Sequence, residues 1–84
     1  MFVHLGGDTL VNSKRIIAIL NADSVLGANS SKDFLKTAQE EGFIDNSNQE
    51  GYKSIVITDK NIYLSPISTL TLKKRANFVD SLNE

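Results

Sequence analysis

Polar and apolar positions divide the chain into short segments, most of strand length. Phe2-Val3-His4-Leu5 is a short strand candidate, Gly6-Gly7-Asp8 supplies residues that accept the positive φ values of a tight hairpin, and Thr9 to Val11 reads as the returning strand. Arg15-Ile16-Ile17-Ala18-Ile19-Leu20 has no polar alternation after its first residue, the pattern of a strand covered on both faces, so a central strand is predicted. The polar stretch Asn21 to Asn29 follows. Ser30 stands three residues before Asp33, the spacing at which a cap hydroxyl and an acidic side chain satisfy helix N–H groups reciprocally, and a helix from Lys32 to Glu41 is predicted. Its narrow apolar stripe is Phe34, Leu35 and Ala38, with Gly42 as the stop.

Phe43-Ile44 then returns to the core, and the polar run from Asp45 to Gly51 reads as an exposed, mobile loop. Tyr52 to Thr58 and Ile62 to Leu64 are rich in β-branched and aromatic residues and are separated by Asp59-Lys60-Asn61, which predicts a hairpin. Pro66 ends that strand. Ser68 or Thr69 can cap a last helix reaching Leu82, with Leu72, Ala76, Val79 and Leu82 on one stripe. The predicted class is α+β, a small mostly antiparallel sheet of about five to six short strands with one central and one C-terminal helix. Residues 1–84 form one domain without internal repeats or linkers, because two cores in so short a chain would each be too small.

Size adds a constraint on how such a domain holds together. Folding hides only about 60 to 65 % of the unfolded surface at this length, while ordering costs roughly 1.5 kcal/mol per residue. Cysteine is absent, and so is any dense set of metal ligands. With disulfide and metal staples removed, self-association is the remaining common device. The longest apolar run, Ile16 to Leu20, falls far short of the ~20 residues that span a bilayer, and the opening residues carry no basic segment followed by an apolar stretch. A cytoplasmic protein without a membrane role is therefore expected. A formal net charge of −1 and an isoelectric point near 5.7 oppose a surface coated in positive charge, so contact with nucleic acid must come from local patches.

Catalytic chemistry finds little to build on. With His4 the single histidine and no cysteine, neither a Cys-His pair nor a second histidine is available, and His4 beside a turn reads as a structural or interface side chain. Glu40, Glu41, Asp45 and Glu50 form a solvated acidic edge rather than a metal site. Gly6-Gly7 precedes a strand, not the helix N-terminus that a phosphate cradle opens onto. No enzyme activity, cofactor or small-molecule substrate is expected.

Two basic clusters remain: Lys14-Arg15 and Lys73-Lys74-Arg75. At about 100° per residue, Arg75 falls inside the stripe of Leu72, Ala76, Val79 and Leu82, whereas Lys73 and Lys74 fall outside it. Arg75 is thus expected to reach over the core edge to a carboxylate or a neighbouring subunit, as an oligomer-interface residue. Lys14, Arg15, Lys73 and Lys74 are the candidate phosphate contacts. Neutralising about three phosphates changes affinity only about 40-fold between about 50 and 200 mM salt, so one subunit would bind DNA feebly and a closed ring would multiply the effect.

Several segments also resemble a known family: His4-Leu5-Gly6 with Asp8, Lys53-Ser54-Ile55-Val56-Ile57-Thr58, Asn61 to Ser68, and Thr71-Leu72-Lys73-Lys74-Arg75-Ala76. They are similar to the RemB branch of the RemA-like extracellular matrix regulatory proteins of Gram-positive bacteria, over Phe2 to Ala76 and most specifically from Lys53 onward. The resemblance implies a cytoplasmic regulator of biofilm-matrix gene expression, built in the RemA branch as a ring-shaped homo-oligomer whose basic surface binds DNA. Arg15 matches the arginine that contributes to DNA binding at the start of the central strand in that branch. Paired arginines before the next core strand are matched here by Glu50 and Gly51, which removes positive charge and adds a negative one. A second expectation follows from that departure: an oligomeric interaction or scaffold protein that acts through a protein partner, such as a RemA-like relative.

Overall fold

The computed structural model describes residues 1–45 and 51–76. Strand β1 (Phe2–Gly6) pairs antiparallel with β2 (Thr9–Asn12), Val3 opposite Val11 and His4 opposite Leu10, with φ of 114° at Gly6 and 56° at Gly7 making the predicted turn. Alternation buries Val3, Leu5 and Val11 and leaves Phe2, His4 and Leu10 outside. A 3-10 turn, Ser13–Arg15, is capped by the Asn12 side chain, which accepts from the Lys14 N–H at 3.0 Å, and it redirects the chain into β3 (Ile16–Asn21).

The other strands are β4 (Ile44–Asp45), β5 (Ser54–Thr58) and β6 (Ile62–Ser65). They join β3 in a four-stranded sheet of order β3-β5-β6-β4, in which only the short β4–β6 pair is parallel. The α+β class and the β5–β6 hairpin are as predicted, but the single sheet divides into the β1–β2 hairpin and this larger sheet. The central-strand prediction for residues 15–20 is corrected: β3 is an edge strand. Its apolar run arises because it feeds two cores, Ile16 and Ile19 packing with Val3, Leu5, Val56 and Leu72 while Leu20 packs against a second cluster around Ile55 and Leu64. A register shift between Ile16 and Ala18 leaves Ile17 65 % exposed. The covered strand is β5, whose Ile55 and Val56 enter different cores and are each 0 % exposed.

Helix α1 (Ala22–Leu26) occupies part of the stretch read as polar connection, capped by Asn21, whose side chain accepts from the Ser24 N–H at 3.2 Å. Helix α2 (Asn29–Glu40) follows almost at once, earlier than the predicted Lys32 start. Ala28 is its N-cap, without a side-chain bond, so the Ser30–Asp33 reciprocal cap does not form. The tight exit from α1, with Ala28 N–H donating to the Val25 carbonyl at 3.2 Å, sets the α2 start before Ser30 is reached. Leu35 and Ala38 are buried, whereas Phe34, assigned to the same stripe, is 51 % exposed.

Gly42 ends α2 as predicted. At φ 80° it lets its own N–H reach the Gln39 carbonyl and the Phe43 N–H reach the Ala38 carbonyl, satisfying two carbonyls of the last turn. Helix α3 (Thr69–Ala76) starts where Ser68 Oγ accepts from the Thr71 N–H at 3.3 Å, and it buries Leu72 and Ala76. Val79 and Leu82, the rest of the predicted stripe, lie outside the described residues. Two buried serines fasten the layers: Ser65 Oγ donates to the Leu5 carbonyl and Ser54 Oγ to the Ile67 carbonyl, each at 2.6 Å. No helix among the described residues is long and apolar enough to cross a membrane.

Candidate nucleic-acid interface

Arg15 closes the 3-10 turn immediately before β3, and Lys14 precedes it; both side chains are exposed. The register of β3 against β5 sets Ile16 opposite Thr58 and so brings Arg15 to the β5–β6 turn. There Arg15 Nη1 donates to Asp59 Oδ2 at 3.1 Å, and the Asp59 backbone N–H donates to the Arg15 carbonyl at 3.2 Å. Thr58 shapes the turn: its hydroxyl donates to the Asn61 carbonyl at 2.8 Å and its Oγ1 accepts from the N–H groups of Lys60 and Asn61. Asp59 and Lys60 are both exposed, and Asp59 is held beside Arg15.

The side chains of Arg15 and Asp59 are 51 % and 49 % exposed. An ion pair so open to water contributes about 0.2–1 kcal/mol, because solvent screens both charges. A phosphate oxygen can therefore replace the carboxylate at little cost.

The second cluster lies in the last turn of α3, with Lys74 and Arg75 exposed and Lys73 half-buried. Arg75 Nη1 donates to the His4 carbonyl at 2.9 Å. Of the two expected acceptors, a carboxylate or a neighbouring subunit, neither is the group met within this chain: the acceptor is a backbone oxygen of β1, and the bond ties α3 to β1. His4 Nε2–H donates to the Gly7 carbonyl and braces the hairpin turn. The first turn of α3 lies at the far end of β3, where Ser68, Thr69 and Leu70 share a shallow depression with Asn21 and Lys53. Lys14 and Arg15 thus stand together with the β5–β6 turn, while Lys73, Lys74 and Arg75 stand on α3 against β1.

In the sequence, Asp59-Lys60-Asn61 reads as a turn alone, and its part in the Arg15 surface goes unseen. The Arg15–Asp59 pair joins positions 44 residues apart, and only the β3–β5 register reveals it. Of the positions matched to paired arginines, Glu50 lies outside the described residues and Gly51 is exposed at φ 67°. A Cβ at Gly51 would meet nothing within 4 Å, so space is open there, yet this backbone conformation strains any residue with a side chain.

Apolar side chains complete the surface. Phe34 and Phe43 border a shallow groove of about 300 Å³ with Ile57 and Ile62, while Phe2 and Leu10 stand on the outer face of the first hairpin, 66 % and 61 % exposed. Among the described residues no cluster of three or more His, Asp or Glu side chains could hold a metal ion.

Residues 2–76 match the model of the RemA-like family, described as Extracellular matrix regulatory protein A-like. The chain is also 42 % identical over 82 residues to Extracellular matrix regulatory protein B of Bacillus subtilis (strain 168), with 94 % of each chain covered. A family match that covers every described residue but Met1, with a relative this similar over 94 % of each chain, places the chain in the RemA-like family of extracellular matrix regulatory proteins.

Proposed function

We propose that this chain is a cytoplasmic, non-enzymatic regulator of extracellular-matrix gene expression that assembles into a ring-like homo-oligomer and binds DNA through repeated basic contacts. The observation that carries the reading is Arg15, half-exposed at the entrance to β3 beside Lys14, at the position the family resemblance assigns to a DNA-binding arginine. Lys73 and Lys74 add charge on α3, and Arg75, exposed beyond its bond to the His4 carbonyl, is proposed as an oligomer-interface residue. Few charges per subunit require repetition, which a ring supplies.

Fluorescence anisotropy with matrix-promoter DNA across a salt series tests the reading. Affinity should fall steeply with salt, and Arg15→Ala should weaken binding and flatten the slope by about 0.9 for each phosphate that is no longer neutralised. Binding indifferent to salt or to Arg15→Ala contradicts it.

A second reading is favoured by a separate observation. The Arg15 charge is already partnered by Asp59, Gly51 stands where the family resemblance has an arginine, and Phe2, Leu10, Phe34 and Phe43 are more than half exposed. These features suit an oligomeric scaffold that acts through a protein partner, including a RemA-like relative. Purification free of nucleic acid, with no DNA fragment shifted at low salt, would select this reading over the first.

A further inference from the structure

We propose that Asp59 is a built-in competitor for phosphate at Arg15, so that the β5–β6 turn sets how strongly the chain binds DNA. The inference rests on the DNA-binding reading and deepens it. Arg15 Nη1 meets Asp59 Oδ2 at 3.1 Å, and both side chains are about half exposed, so the carboxylate occupies the place of an incoming phosphate oxygen while remaining displaceable.

The turn fixes the Asp59 backbone, and so the reach of its carboxylate, through bonds that do not involve the carboxylate. Asp59 N–H donates to the Arg15 carbonyl, and the Thr58 hydroxyl organises the residues that follow. Asp59 is therefore held beside Arg15 whether or not the ion pair is made, and it recaptures the guanidinium when phosphate leaves. When DNA binds, the displaced carboxylate stays close and repels the same phosphate.

The magnitude follows from the strength of an exposed ion pair. Breaking it weakens each Arg15 contact by about 1.4-fold to fivefold, and the factor multiplies with the number of contacts an oligomer makes.

Anisotropy of a fluorescein-labelled matrix-promoter duplex should compare the wild type, Asp59→Asn, Arg15→Ala, the double variant, and Asp23→Asn. Asp23 lies in α1, at the opposite end of β3, and its substitution removes the same charge away from Arg15. Asp59→Asn should bind about 1.4-fold to fivefold tighter than wild type per Arg15 contact, Asp23→Asn should gain less, and the Asp59 gain should vanish in the Arg15→Ala background. An equal gain at Asp23, a gain that survives Arg15→Ala, or none at Asp59 would overturn the competitor role. If the wild type binds and loses affinity with Arg15→Ala while Asp59→Asn changes nothing, only the Asp59 role fails; if neither wild type nor Asp59→Asn binds, the DNA-binding reading fails with it. Circular dichroism of Asp59→Asn and Asp59→Ser should match wild type; unfolding of both would make Asp59 a structural residue and overturn the proposal.

Discussion

At single residues, the structure separates side chains that hold the fold from those that contribute little to it. Arg15 belongs to the second kind, since its ion pair with Asp59 is exposed and worth about 1 kcal/mol at most. Arg15→Ala should lower the melting temperature by no more than about 4–8 °C, so that a larger loss of DNA affinity reports on binding. Ser65 belongs to the first kind. It is 0 % exposed, and its hydroxyl donates to the Leu5 carbonyl and accepts from the Ile67 N–H, so Ser65→Ala removes both bonds and should cost about 1–3 kcal/mol, read from denaturant midpoints. Leu72, also 0 % exposed, joins α3 to the first core, and Leu72→Ala should cost about 2–5 kcal/mol by the same measurement. Leu72 was legible in the sequence as the start of an apolar stripe. Ser65 was not, because nothing local distinguishes a serine that fastens two layers from one at a strand end.

Among the elements, those written in local signals were readable and those set by tertiary context were not. The Gly6-Gly7 turn, the Asp59-Lys60-Asn61 turn, the Gly42 stop and the Ser68 cap each depend on a few neighbouring residues, and each formed where predicted. Helix α1 escaped notice because it spans only Ala22–Leu26 and buries Ala22 alone, too little to show a helical period. β3 misled for a different reason: an apolar run on a covered strand and one on an edge strand that serves two cores look the same in sequence. Ile17→Lys distinguishes the two placements. On an exposed edge it should change stability by about 0.5 kcal/mol or less, whereas a strand covered on both faces would lose several times that in a urea titration. The Arg15 surface was half legible: the basic pair was evident, but its acidic neighbour came from strand register.

For the molecule as a whole, the described residues form two small cores, on opposite faces of one four-stranded sheet. A domain of this size, with no cysteine to cross-link it, gains from burying further apolar surface against copies of itself. Phe2, Leu10 and Ile17 are each more than half exposed and offer such surface, and the edge of β3 that no described strand covers adds backbone groups that can pair. In the proposed DNA-binding reading, self-association is what would multiply the few basic residues per subunit, and the scaffold reading is oligomeric as well, so both proposals depend on it. Size-exclusion chromatography with light scattering at micromolar concentrations tests that dependence most directly. The predicted result is a single species whose mass is a multiple of the 9.2 kDa subunit, and a monomer across the concentration range would contradict it.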